Sequence, residues 1–237
     1  MGTQKFKISV VAYGLVIPLV VGIVIILFPA VLRPLLDQFF PGPDLVTGAP
    51  TSPNAYLTSV LTHGFAAMVV LGVPMILGLT WNKWAGGASG FIMGTLYYLA
   101  YAGYNIQYSM QFSLDMYKAS GNDLAVFIRY LPPNLYADPS FIGNWIVGGM
   151  LIGYITGALS AGSIDFKRML GAALTASVTV ALLQFVLNVT VAFSASMVQN
   201  NLWFALFTVL LPGVFLGIIA PIIAKVMTWY GLQPMRH

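Results

Sequence analysis

The sequence predicts an all-α, polytopic integral membrane protein: one membrane domain over residues 1–237, built as a six-transmembrane-helix bundle with both termini cytoplasmic. Three observations predict it. Of 237 residues, 59% are hydrophobic and 7% are charged, where a soluble domain carries roughly 25% charge. Six stretches reach the roughly 20 mostly apolar residues that a bilayer-spanning helix needs. The ten basic residues, finally, divide unevenly between the two sides that those spans define.

The first span, about 8–32, follows Lys5 and Lys7. Its apolar run is longer than a signal peptide's and no small-residue cleavage site follows, so it reads as an uncleaved helix. Arg33, Asp37 and Phe40-Pro-Gly-Pro-Asp44 form a turn-rich outer loop. Spans two and three, about 57–80 and 87–107, are separated by Trp81-Asn82-Lys83. A long polar, proline-bearing segment, about 108–140, reads as a second outer loop holding Asp115, Lys118, Asp123, Arg129 and Tyr130-Leu-Pro-Pro-Asn-Leu-Tyr136. Spans four to six follow at about 141–162, 168–194 and 202–229.

With the N-terminus inside, Lys5, Lys7, Lys83, Lys167, Arg168, Lys225 and Arg236 fall on the cytoplasmic side. Only Arg33, Lys118 and Arg129 fall outside, which obeys the positive-inside rule. The expected location is the cell membrane, multi-pass. Scattered this way, the basic residues form no stripe and exclude nucleic acid as a partner.

Composition also bounds the chemistry. There is no cysteine, which excludes disulfides, iron–sulfur clusters and thiol catalysis. The two histidines, His63 and His237, exclude a metal site that takes three histidines from one chain. Gly86, Gly90 and Gly94 recur every four residues in span three, as do Gly149, Gly153 and Gly157 in span four. Small residues at that spacing let helix backbones approach closely in lipid.

His63 is the one histidine inside a span, about two turns into span two. An ionisable residue at that depth is a functional candidate, and a neutral imidazole there suits heme iron or proton transfer. A buried histidine hydrogen-bonded to a neighbouring helix is the plain structural alternative. Gln184 and Asn188, four apart in span five with Thr190 nearby, read as helix-joining polar groups. Lys225 reads as a snorkelling side chain near the end of span six. No span holds a deep aspartate to act as counter-ion for a retinal on that lysine. Gly87-Ala-Ser89-Gly90 is similar to the nucleophile motif of rhomboid proteases, but no histidine follows before the last residue to activate the serine.

The setting of His63 carries a resemblance. Tyr56 lies seven residues before it, Pro74 eleven after it and Gly78 fifteen after it, in a segment reading Thr62-His63-Gly64 and ending Trp81-Asn82. Arg33, Leu36 and Pro41-Gly42 precede this segment, and Tyr130-Leu-Pro-Pro133 follows it. From about residue 30 to residue 160 the order resembles the N-terminal half of subunit I of the heme-copper oxidases and nitric oxide reductases. The resemblance implies that His63 is an axial ligand of a b-type heme, that Arg33 contacts a heme propionate and that Tyr56 lies in the layer around it. It implies no copper. The helices carrying the copper ligands, the high-spin heme ligand and the second low-spin ligand have no counterpart here. The methionine expected four residues after the histidine stands one further on, at Met68, and Leu202–Pro212 lacks the histidine and tyrosine of the family's sixth helix.

The implied function is a subunit of a respiratory electron-transfer complex with no oxygen-reducing site of its own. It would pass electrons between a quinone and a partner, or hold the assembly together, beside other membrane subunits or a second copy that shares a heme. Two other classes compete: the substrate-binding component of a vitamin-type importer, and a cofactor-free structural subunit.

Overall fold

Trp81 and Asn82 make a tight turn between two helices, and the local chemistry explains why one helix stops and the next begins there. The Trp81 N–H donates to the Leu77 carbonyl at 2.9 Å, closing the first helix. The Asn82 side chain accepts from Ala85 N–H at 2.8 Å, capping the second. In this computed structural model, residues 16, 19, 20, 23, 65–129, 131, 135–191 and 202–231 are described, and every regular element among them is helical. These elements are α1 (Phe65–Thr80), α2 (Lys83–Ala119), α3 (Leu124–Arg129), a 3-10 turn (Leu135–Ala137), α4 (Pro139–Ile142), a π-turn (Gly143–Val147), α5 (Gly148–Ser160), α6 (Phe166–Thr190) and α7 (Leu202–Trp229).

Three helical stretches, 139–160, 166–190 and 209–229, are long and apolar enough to cross a membrane. Span one and residues 57–64 of span two lie outside the described residues, apart from positions 16, 19, 20 and 23.

One expectation is corrected. The helix of span three does not stop near residue 107, and residues 108–140 are not a single loop. The 37-residue α2 runs on to Ala119, about 55 Å at 1.5 Å per residue, beyond the roughly 40–45 Å of a bilayer with its headgroups. The reason is local. Residues 108–119 contain neither glycine nor proline, and the Gln111 amide donates to Asp115 one turn on, at 3.1 Å. The helix stops where Gly121 (φ 76°) and Asn122 (φ 68°) take left-handed conformations. Short α3 follows, with Asp123 accepting from Ala125 N–H.

The helices form two packing systems around α5. On one side, α1, α5, α6 and α7 enclose a side-chain core that includes Leu71, Met75, Ile152, Met169, Val180 and Leu216, filled in by Ala173, Ala176, Ala220 and Ala224. On the other, α2 lies antiparallel to α5 and approaches it backbone to backbone. Gly86 faces Gly153, Gly90 faces Gly149 and Gly94 faces the Trp145 main chain. A Cβ on Gly149 would stand 2.7 Å from the Gly90 carbonyl oxygen, and one on Gly86 2.5 Å from that of Gly153. Gly78 of α1 fits against the same Gly153 carbonyl. The two glycine stripes are thus one seam.

This packing sorts the described charges by end. Lys83 at the start of α2, Lys167 and Arg168 at the start of α6, and Lys225 near the end of α7 share the end where α5 terminates. Asp115, Lys118, Asp123, Arg129 and Asp138 belong to the other end.

Candidate functional site

His63, Arg33 and Tyr56, the residues implied to hold a heme, all lie outside the described residues. His63 is two positions before Phe65, the first described residue of α1. The described residues nearest to it lie at the end of the bundle that holds Phe65.

Two side-chain systems meet there. The first is aromatic. Tyr97 and Tyr101, one turn apart on α2, stack at 5.4 Å, and Tyr97 lies 4.3 Å from Trp145 in the π-turn. Phe141 stacks on Tyr101 at 5.3 Å. With Met93, these rings pack against Val69, Val70 and Val73 of α1. Tyr98, on the next face of α2, donates its hydroxyl to the Tyr136 carbonyl at 2.8 Å and ties the 3-10 turn to the helix. Buried Asp138 then caps α4, accepting from Ser140 N–H at 2.9 Å and from Ser140 Oγ at 2.7 Å.

The second system is polar. The Asn144 amide donates to Asn188 Oδ1 at 2.7 Å, and Gln184 donates to the Asn144 carbonyl at 3.1 Å. The reading of Gln184 and Asn188 as helix-joining groups holds: both clamp α6 to the π-turn. Their partner Asn144 is the residue that sequence reasoning missed. Its only signal was an amide beside Gly143 at the head of span four. Two buried side-chain oxygens, Thr95 Oγ1 and Asn144 Oδ1, have no protein partner among the described residues.

Several chemistries can be closed. Ser89 of the protease-like motif is fully buried and donates to the Gly86 carbonyl at 2.9 Å, so its hydroxyl is spent on its own helix beside the seam. Lys225 Nζ donates to the Ile164 carbonyl at 2.8 Å, at the end of the bundle rather than within it. Among the described residues, no group of three histidine, cysteine or carboxylate side chains could hold a metal ion.

A heme needs a flat apolar slot and axial donors, and the side chains of α1 from Met68 to Thr80 are taken up by helix packing. From Met68 to Thr80, α1 has no exposed residue. Gly78 fills the contact with α5, and Pro74 is fully enclosed. Met75 and Met93, the methionines flanking this face, are buried in the side-chain clusters. Pro74 and Gly78 therefore have a packing role that accounts for them, which leaves His63, with Arg33 and Tyr56, as the part of the resemblance that concerns a cofactor. No protein-family model matches the chain, and no curated protein or solved structure is significantly similar to it.

Proposed function

We propose that the chain is a membrane subunit of a respiratory electron-transfer complex, and that its main task there is to hold the assembly together. The observation that supports this reading is the α1–α2–α5 seam, in which three helices meet through glycine backbones. Such a contact gives a rigid body in lipid, where apolar side chains alone gain little by leaving the acyl chains. Six spans with both termini cytoplasmic belong to this proposal, and the basic end would face the cytoplasm. The order of landmarks around His63 supplies the link to electron transfer. Isolation of the tagged chain from its native membrane tests it. Oxidase or quinol-oxidising subunits should come with it, whereas ATPase subunits and a tightly bound vitamin would transfer it to the importer class.

A second reading keeps a b-type heme on His63. It is favoured by the enclosed aromatic and aliphatic packing at the end where α1 begins, since heme sites are apolar. When bound, the heme would supply one-electron transfer; this chain's own contribution would be one imidazole. Protein expressed with heme supplied should show reduced Soret and alpha bands that vanish in His63→Ala. A colourless protein would remove the heme and leave the scaffold reading standing.

A further inference from the structure

We propose that the end of the bundle carrying Lys83, Lys167, Arg168 and Lys225 is a docking surface for anionic phospholipid headgroups. Four cations meet there with one described acid, Asp165. That carboxylate is engaged as the cap of α6, accepting from Arg168 N–H at 3.2 Å. Three of these residues meet the last turn of α5 and the loop after it. The Lys83 main chain lies against Gly157, Arg168 Nε donates to the Leu159 carbonyl at 3.3 Å, and Lys225 Nζ donates to the Ile164 carbonyl at 2.8 Å. Each of these two hydrogen bonds uses one donor, of five on a guanidinium and three on an ammonium. The remaining donors, and all those of exposed Lys167, have no hydrogen-bond acceptor among the described residues.

The neighbours of these cations favour lipid over a soluble acidic protein. Trp84, Trp229 and Tyr230 stand 69%, 72% and 76% exposed at the same level, as interfacial aromatics do. Lys83 Nζ lies over the Trp84 and Tyr154 rings, 5.6 Å from each centroid. Ile164 and Phe166 are exposed between the cations. A surface mixing phosphate-binding donors with bare apolar chains matches a headgroup and the upper part of its acyl tails. Among the described residues the opposite end has no such excess, since Lys118 and Arg129 share it with Asp115, Asp123 and Asp138.

Native mass spectrometry of the full chain from micelles holding equal phosphatidylglycerol and phosphatidylcholine tests this. The wild type should retain phosphatidylglycerol preferentially. Each charge removed should lower the ratio up to about five-fold, in Lys167→Gln alone and cumulatively towards one with K83Q, R168Q and K225Q added. Lys167 is exposed and makes no hydrogen bond among the described residues, so its variant should fold and read the effect cleanly. The Lys118→Gln/Arg129→Gln pair should leave the ratio unchanged. A ratio of one in the wild type, or one that Lys167→Gln and the fourfold variant leave untouched, overturns the proposal. So does loss of the preference to inorganic phosphate but not to chloride at equal ionic strength, which assigns a small-anion site. An acidic protein that co-isolates through the same four residues while the lipid ratio stays at one would reassign the surface to a protein.

Discussion

The α2–α5 contact and the α6–α7 contact join their helices by different means. Between α2 and α5 the closest atoms are main-chain atoms, and a methyl group at Gly90 would overlap the Gly149 carbonyl. Between α6 and α7 side chains fill the gap. A Cβ on Gly213 would meet the Ala181 methyl at 3.3 Å and the Ser177 carbonyl at 3.4 Å, while Ala173, Ala176, Ala220 and Ala224 are packed into the core between them. A side-chain contact can relax by rotamer changes; a backbone contact can relax only by moving a helix. The seam should therefore be the brittle half of the molecule and the alanine face the tolerant half.

The strongest attempt to break that contrast is Gly153→Leu. It should abolish the folded bundle, seen as lost cooperative unfolding in detergent, because both α1 and α2 approach the Gly153 main chain. Gly90→Ala should cost about 3 kcal/mol, at the upper end for overpacking. On the tolerant side, Gly217→Ala should cost about 1–2 kcal/mol. Its added methyl meets Ser177 Oγ at 2.6 Å and Leu174 Cδ2 at 2.9 Å, atoms that can turn away, and the nearest main-chain atom, Leu174 Cα, stands further off at 3.1 Å. If unfolding titrations rank Gly217→Ala above Gly90→Ala, the contrast is wrong.

Smaller effects sharpen it. Asn188→Ala should cost on the order of 1 kcal/mol, the scale of an interhelical hydrogen bond in lipid, because it leaves the Asn144 amide without its 2.7 Å partner. The double variant with Asn144→Ala should cost less than the two single losses combined. Gly171→Ala, where an added Cβ meets nothing within 4 Å, should stabilise α6 by about 0.5 kcal/mol through helix propensity.

These residues also show what the sequence reveals. The seam was legible because glycine every four residues marks one helix face in lipid, and both stripes were present. The Trp81-Asn82 boundary was legible because asparagine is a strong cap. The last three turns of α2 were not, since polar residues outside a bilayer read alike whether coiled or helical. Hydropathy reports solvent there, not conformation. The π-turn at Gly143–Val147 left no trace either, because it answers the approach of Gly94 to the Trp145 main chain, a tertiary demand. Of the candidate site, Gln184 and Asn188 were legible as a pair on one helix face, and their partner Asn144 was not. His63, Arg33 and Tyr56 fall outside the described residues.

The proposed role, a rigid member of an electron-transfer assembly, is tested by parallel isolation of tagged wild type and Gly90→Ala from native membranes in mild detergent, with the co-isolating subunits identified and quantified. Oxidase or quinol-oxidising subunits should come in fixed ratio to the wild type, and in a reduced ratio with Gly90→Ala. A wild-type chain that isolates alone, or with ATPase subunits, would contradict it.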